Sequence, residues 1–321
     1  MSSRTTIFFA TDIHGSERCF MKFVNAAKFY HAQVLILGGD ITGKALVPIV
    51  RQPGPVTERY RATFLGEAAT LASGEELAAF ERKVRHAGAY PYRTTPEELA
   101  AMEADRSLVD SLFTRLMVES VQRWCEIAEE RLRGSGVRCF IDAGNDDEPE
   151  IVAVLKQASY VEMPEGRVVM LDDEHEMISA GFANTTPWHA PRDIPDEELG
   201  AFLESMASQL RAPERAVFNI HVPPYASGLD TAPLLDDNLK PIVVAGDVAT
   251  GPVGSKAVRA TIERYQPLVS LHGHVHESRA VSKLGRAVCI NPGSEYGDGN
   301  LRAALVNVKG NRLLNYQLIT G

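Results

Sequence analysis

The sequence has few cysteines and no long hydrophobic run. Its four cysteines are Cys19, Cys125, Cys139 and Cys289. They are widely spaced and form no CxxC pair, which argues against a disulfide framework and a thiolate zinc site. No run of about 18 apolar residues is present, so a membrane-spanning helix is excluded, and the N-terminal residues lead into a short strand-like run rather than a signal peptide. We therefore expect a cytoplasmic protein without a membrane partner.

The sequence also lacks a surplus of basic residues. It has 33 Lys and Arg against 42 Asp and Glu, which gives a net charge of -9. Duplex nucleic acid is an unfavourable partner for such a chain, because binding to phosphates needs excess positive charge. No basic stretch interleaved with aromatic residues is present, which argues against a nuclease. An acidic metal-binding enzyme is compatible with this balance, and 321 residues with 45% apolar content can bury a large core.

Hydrophobic periodicity predicts an α/β fold that opens with a βαβ unit. A strand at Thr6–Ala10, a helix at Ser16–Tyr30 and a strand at Val34–Leu37 form that opening. Further strands are predicted at 138–142, 168–171, 216–221 and 268–272, and further helices at 195–210 and 255–264. Residues 302–308 and 312–319 around Gly310-Asn311 are typical of a terminal hairpin. His31, His86 and His175 belong to no motif and are expected to be ordinary surface or helix residues.

Residues 43–136 depart from this pattern and are interpreted as a largely helical insertion in a single domain spanning 1–321. A β-hairpin is predicted from Lys44–Val50 and Arg59–Leu65, around Pro53-Gly54-Pro55. Capping boxes predict helix starts at Ser73 and Thr95. The second of these helices is expected to carry an apolar stripe, which packs in the core, covers the site or forms a homo-oligomer contact. The stripe comprises Val109, Leu112, Phe113, Leu116, Met117, Val121, Trp124 and Ala128.

Metal-ligand residue types follow predicted strands at five places. They occur in Asp12-Ile13-His14, Gly39-Asp40, Gly144-Asn145-Asp146, His221 and Gly273-His274-Val275-His276. Ligands in open α/β sheets bind beyond the carboxyl ends of the strands, where adjacent glycines allow sharp turns. The five segments together indicate a metal centre at that edge.

This order of motifs, DxH, GD, GN, H and GHxH, resembles the calcineurin-like metallophosphoesterase superfamily. The later Asn291-Pro292-Gly293-Ser294 segment is similar to its bacterial and archaeal Icc-related phosphoesterase branch. The resemblance implies a four-layer α/β/β/α sandwich that holds two divalent ions, with Mn, Fe, Zn and Ni all suited to the ligands. It assigns one ion to Asp12, His14, Asp40 and His276, and the other to Asp40, Asn145, His221 and His274.

The same resemblance implies a phosphohydrolase whose nucleophile is a hydroxide bridging the two ions. The expected activity is that of a phosphodiesterase acting on a small phosphorylated metabolite or nucleotide. The candidate catalytic residues are Asp40, Asn145, Asp146 and His221. A catalytically weak scaffold that binds partners through the insertion is the alternative, although no expected ligand is missing.

The chain departs from the family pattern at Asp146, where many relatives have a histidine that protonates the leaving group. An aspartate close to two cations is expected to be ionised and therefore to be a poor general acid. Asp146 or Asp147 could instead orient a ligand or attract a further metal, or serve only in a turn or helix cap. The segment 183–192 resembles a loop that lies near the metal site in relatives. Its candidate substrate contacts are Asn184, His189 and Arg192.

Overall fold

The computed structural model describes residues 4–53, 58–236, 238–244 and 246–321. The first elements are β1 (Thr5–Ala10), α1 (Glu17–Phe29) and β2 (Val34–Gly38). The two strands pair in parallel, with Ile7 opposite Val34, which confirms the predicted βαβ opening. Ser16 caps the helix, because its side chain accepts a hydrogen bond from the Cys19 N–H.

The segment predicted as an insertion contains a four-stranded sheet as well as helices. Its elements are β3 (Ala45–Gln52), β4 (Arg59–Phe64), β5 (Glu67–Ala72), α2 (Glu75–His86), β6 (Ala89–Thr94), α3 (Pro96–Ala104) and α4 (Arg106–Leu132). The sheet order is β5-β4-β3-β6. The predicted hairpin is confirmed by the antiparallel pair β3 and β4, whereas β5 and β6 were not predicted. The Gly54-Pro55 part of the predicted turn lies outside the described residues.

Two of the predicted helix boundaries need correction. Thr95 does cap α3, since its hydroxyl accepts from the Glu98 N–H at 3.2 Å. Ser73 does not cap α2, whose N-cap is Gly74 without a side-chain bond. One helix was expected to continue from Thr95 through the apolar stripe, but it is interrupted at Asp105, whose backbone is extended. Asp105 is the N-cap of a separate helix, α4, because its side chain accepts a hydrogen bond from the Ser107 N–H.

The apolar stripe of α4 packs inside the chain. Met117, Val121 and Ala128 are buried in the same core cluster as the inner face of α1. The Trp124 ring stacks on Phe20 with 4.4 Å between ring centroids. The core interpretation of the stripe is therefore the one that the structure supports.

The remaining elements of the described residues are mostly strands, with three α-helices among them. They are β7 (Arg138–Asp142), α5 (Pro149–Gln157), β8 (Val169–Met170), β9 (Glu176–Ala180), β10 (Ala183–Asn184), β11 (Asp193–Ile194), α6 (Asp196–Ala207), β12 (Val217–Ile220), β13 (Thr231–Pro233), β14 (Val243–Val244), β15 (Asp247–Val248), β16 (Thr250–Pro252), α7 (Lys256–Tyr265), β17 (Val269–Leu271), β18 (Ala280–Leu284), β19 (Ala287–Asn291), β20 (Arg302–Lys309) and β21 (Arg312–Thr320). The predicted helices at 195–210 and 255–264 are confirmed as α6 and α7. The terminal hairpin is confirmed as well, with Lys309 opposite Arg312.

Two larger sheets carry the fold, with orders β21-β20-β1-β2-β7 and β18-β19-β17-β12-β9-β8. One apolar cluster draws side chains from both sheets, among them Ile7, Ile36, Val217 and Ile290. On the opposite face of the first sheet, the other residues of β1 and β2 pack against α1, α4 and α5. The second sheet packs against α6 and α7. Strands buried on both faces are typical of α/β proteins. The α/β class is therefore established.

The environment of one predicted surface residue is different from that expected. His175 is 1% exposed. Its ring nitrogens lie 2.7 Å from Asp172 Oδ2 and 2.9 Å from the Gly310 carbonyl oxygen. It thus links the turn between β8 and β9 to the terminal hairpin. Among the described helices, none combines the length and hydropathy required to cross a bilayer.

Candidate metal centre

The loops after β1, β2, β7, β12 and β17 bring the seven predicted ligands together. All seven come from the carboxyl ends of strands, as the sequence pattern predicts. Four have positive φ angles: 53° at Asp12, 37° at His14, 50° at Asp40 and 65° at His274. Non-glycine residues rarely adopt this conformation, and it is concentrated at functional sites.

Two glycines of the motifs allow these loops to approach closely. A Cβ on Gly144 would lie 2.0 Å from Asp40 Oδ1, and a Cβ on Gly273 would lie 2.3 Å from Asp12 Oδ2. Both distances are too short for any side chain. The glycines are therefore required because the carboxylates occupy that space.

The first group of ligand atoms comes from Asp12, His14, Asp40 and His276, which lie within 4.8 Å of one another. His14 Nε2 is 3.1 Å from His276 Nε2 and 3.8 Å from Asp40 Oδ2. His276 Nε2 is 3.3 Å from Asp12 Oδ1. Two imidazoles and two carboxylates thus surround one position.

The second group comes from Asp40, His221 and His274. His221 Nε2 lies 3.3 Å from Asp40 Oδ1. Asn145 joins this group, since its Oδ1 is 2.9 Å from His274 Nδ1. The Asn145 Nδ2 donates to Asp193 Oδ1 at 2.9 Å, which turns the amide oxygen toward the site. Asp40 belongs to both groups.

The hydrogen bonds of His221 fit the needs of a metal ligand. Its Nδ1 lies 2.9 Å from the Gly38 carbonyl oxygen, to which it donates. Its Nε2 is buried and has no hydrogen-bond partner. A buried nitrogen without a partner costs free energy, and a bound cation would remove that cost. The cluster of buried Asp and His residues could therefore hold a metal ion.

The electrostatics of the cluster also favour a cation. Burial lowers the pKa of His14 to about 3 and that of His274 to about 4, so both rings are neutral, as metal ligands must be. Burial opposes ionisation of Asp12, but the hydrogen bond from His276 and the charge of His221 lower its pKa to about 2. Burial likewise disfavours the charged form of His221, yet the nearby Asp40 and Asp12 carboxylates raise its pKa to about 10. The carboxylates thus attract positive charge to this position.

Asp146 and Asp147 have different environments. Asp147 is buried and its carboxylate accepts from three backbone N–H groups, those of Ile41, Thr42 and Gly144. It holds together the loops that carry Asp40 and Asn145, which matches the orienting role considered for it. The Asp146 N–H donates to Asp40 Oδ1 at 3.0 Å, and its carboxylate pairs with Lys44. Burial and the charge of Asp40 raise the pKa of Asp146, against the opposing effect of Lys44.

A cleft of about 320 Å³ opens over the two ligand groups. The described residues lining it are Asp40, Lys44, Asp146, Trp188, Ala232, Pro233, Leu235, Pro241, Val253, His274, Val275, His276 and Glu277. The sequence motifs did not single out Lys44 or Trp188. No local pattern could have revealed the pairing of Lys44 with Asp146, because 102 positions separate them.

The three predicted substrate contacts are not among the residues that line this cleft. The guanidinium of Arg192 is buried, donates to the Ala143 and Gly144 carbonyls and pairs with Glu165. Arg192 therefore supports the loop before Asn145, and the prediction that it contacts the substrate phosphate is wrong. His189 is exposed, and its neighbour Trp188 lines the cleft. Asn184 donates to the Val253 carbonyl, and its Oδ1 is buried without a partner.

Comparisons with known proteins show similarity in fold. No protein-family model matches the chain. An uncharacterised protein of Methanocaldococcus jannaschii, MJ1162, is 27% identical over 152 residues, which cover 46% of this chain and 61% of that protein. The match thus spans about three fifths of the relative's length.

Two crystal structures are similar over nearly the whole chain. One has a TM-score of 0.56 and 15% identity, and covers 99% of both chains. The other, TT1561 of Thermus thermophilus, has a TM-score of 0.54 and 13% identity, also over 99% of both chains. At these identities the similarity concerns the fold alone, and it agrees with the α/β class.

Proposed function

We propose that the protein is a dinuclear-metal-dependent phosphohydrolase of the calcineurin-like type, related to the Icc-like branch. The observation that carries the proposal is the shared position of Asp40 in two adjoining groups of Asp and His ligands. A carboxylate between two cations reduces their mutual repulsion. The two sheets with helices against their outer faces support the four-layer α/β/β/α arrangement of a single domain with 43–136 inserted.

Bound divalent ions supply an activated water and neutralise charge on phosphoryl oxygens. The chain's own residues set the geometry around that chemistry. Asp193 orients the Asn145 oxygen, which adds a ligand without adding charge. Lys44 brings a positive charge to the cleft, where it faces an anionic substrate. The burial of the ligand cluster strengthens the electrostatic interactions of its Asp and His side chains with a bound cation.

The proposed reaction is hydrolysis of a phosphodiester of small size. The new bond joins a water oxygen to phosphorus, and the bond that breaks joins phosphorus to the leaving oxygen. The 320 Å³ cleft accommodates a small molecule rather than a duplex. The four free cysteines, three of them buried, support the cytoplasmic location that we propose with this function.

A metal-reconstitution assay tests the proposal. Purified protein stripped of metal is loaded with Mn, Fe, Zn or Ni and assayed on phosphomonoesters and phosphodiesters. We expect diester hydrolysis that depends on metal and is lost, together with metal content, in Asp40→Asn. Asp110→Asn, which changes an exposed carboxylate on α4, is the matched control. Hydrolysis that persists in Asp40→Asn would refute the proposal, as would inactivity with every metal.

A further inference from the structure

The residues that line the cleft fall into two chemical classes. Those contributed by the ligand loops and by Lys44 are mostly charged or polar. Among the described residues, those contributed by the Trp188 loop and by residues 231–253 are apolar: Trp188, Ala232, Pro233, Leu235, Pro241 and Val253. We call residues 231–253 the flap, of which 237 and 245 are not described. The cleft thus joins a charged centre to an apolar rim.

The described residues of the flap form two antiparallel strand pairs. β13 pairs antiparallel with β16, and β14 pairs antiparallel with β15. Between them, the Leu234 N–H donates to the Ala249 carbonyl and the Ile242 N–H donates to the Leu234 carbonyl, both at 2.8 Å. These backbone bonds join the two strand pairs.

Hydrogen bonds attach the flap to the metal-ligand loops. The Thr231 N–H donates to Ser278 Oγ at 2.8 Å, and this hydroxyl donates to the Thr231 carbonyl at 2.7 Å. Ser278 lies two residues after His276. The Gly254 N–H donates to Asp230 Oδ2 at 3.1 Å, which joins the two residues that flank the flap. The flap is therefore held beside the candidate metal centre.

The rim and the flap expose large apolar side chains to water. Trp188 is 53% exposed, and both Val243 and Val244 are 61% exposed. Leu239 and Val248 are each 49% exposed. Apolar surface of this kind next to a site marks a place where another apolar group is buried. Of these five side chains, Trp188 lines the cleft, so an organic group joined to a phosphate at the ligand loops would contact the indole ring.

We propose that the substrates are phosphodiesters carrying a bulky apolar group, with Trp188 and Leu235 as the residues that select for it. The inference rests on the proposed phosphohydrolase function and specifies its substrate class. A nucleoside base is less favoured at the rim, because the indole N–H of Trp188 is the one hydrogen-bond donor among the described rim side chains and none of them can accept from the base edge. An aliphatic or aromatic group gains from contact with the indole ring.

A matched substrate series separates this selection from the chemistry. Methyl, butyl and octyl p-nitrophenyl phosphodiesters share one leaving group and differ in the retained ester group. With the metal-loaded enzyme, we expect kcat/KM to rise at least about tenfold from methyl to octyl, mainly through KM. In Trp188→Ala and Leu235→Ser, we expect the octyl-to-methyl ratio to fall by at least about fivefold. Phe29→Ala removes an exposed aromatic ring at the C-terminal end of α1, and it should leave that ratio unchanged.

Tryptophan fluorescence gives a second readout that does not depend on turnover. The chain has two tryptophans, and Trp124 is buried against Phe20, so an exposed ligand contact changes the emission of Trp188 alone. Octyl phosphate below its micelle concentration should shift this emission and bind at least about tenfold more tightly than methyl phosphate. Trp188→Phe should abolish the shift.

The outcomes distinguish the two proposals. Equal kcat/KM values across the diester series, or equal affinities for octyl and methyl phosphate, would overturn the apolar subsite while leaving the phosphohydrolase function in place. If no diester is hydrolysed with any metal, the proposed function fails. The fluorescence titration then decides the subsite by itself, and equal or absent binding of the two phosphates refutes it.

Discussion

At the scale of single residues, the candidate centre depends on side chains that are held by contacts outside the motifs. Asp193 fixes the amide of Asn145, and the Gly38 carbonyl fixes the imidazole of His221. Such partners raise the precision of metal binding, because they set which ligand atom faces the ion. Lys44 and Asp146 form a further pair in the cleft, at the place where relatives of the proposed family have a histidine.

The first prediction concerns the charge of Lys44. Lys44→Met should lower kcat/KM for a phosphodiester by about tenfold, because it removes the lysine cation that lines the cleft near Asp40 and His276. The Lys44 side chain is 53% exposed, so we expect the penalty to shrink as salt is raised. Lys44→Arg should retain most of the activity.

Lys283→Met, which removes an exposed lysine on β18, is the control for a general loss of positive charge. Steady-state kinetics at low and high ionic strength provide the measurement. Activity of Lys44→Met equal to that of the wild type at low salt would exclude a role for Lys44 in substrate binding.

At the scale of secondary-structure elements, the ends of three strands meet in a buried polar cluster. Asp142, at the end of β7, accepts hydrogen bonds from Ser179 on β9 and from Asn219 on β12, each at 2.7 Å to its Oδ2. Its Oδ1 has no partner. Burial, with a smaller effect of Glu165, raises the pKa of Asp142 to about 7. The two larger sheets are therefore joined through a carboxyl group whose pKa is raised by folding.

The second prediction follows from this raised pKa. Since the folded state binds the Asp142 proton more tightly than the unfolded chain, this residue's stabilising contribution is full below about pH 4. It is lost as pH rises to about 7. Asp142→Asn keeps a neutral side chain at every pH. It should therefore gain stability relative to the wild type between pH 5 and pH 8, by about 1 to 4 kcal/mol.

Urea unfolding of the metal-free proteins at pH 5 and pH 8 measures the difference. Asp110→Asn, at an exposed position, shows how much a generic carboxylate contributes to the same comparison. If the free energies of unfolding of the wild type and Asp142→Asn differ by the same amount at both pH values, the pKa of Asp142 is not raised by folding.

At the scale of the whole molecule, the sequence predicts some parts of the structure far better than others. The ligands are predictable because each follows a strand in a short motif, and parallel strands end at one edge. β9 and β19 were not predicted, although both are central strands of the second sheet. Short apolar runs between loops carry too weak a periodicity to be recognised.

Contacts between segments that are distant in the chain could not be predicted from the sequence. His175, expected at the surface, is buried because the Asp172 side chain and the Gly310 backbone, 135 positions further on, close over it. Arg192 lies under the loop before Asn145 for the same kind of reason. The exposure of the valines in the flap could not be predicted either, because their sequence pattern is the same as that of a buried strand.

The proposed bridging of two metal ions by Asp40 can be observed by anomalous diffraction. Crystals of the protein loaded with manganese, measured near the manganese absorption edge, should show two peaks about 3.5 to 4 Å apart on either side of the Asp40 carboxylate. One peak should adjoin His14 and His276, and the other His221 and His274. A single peak, or peaks away from Asp40, would show that Asp40 does not bridge two ions.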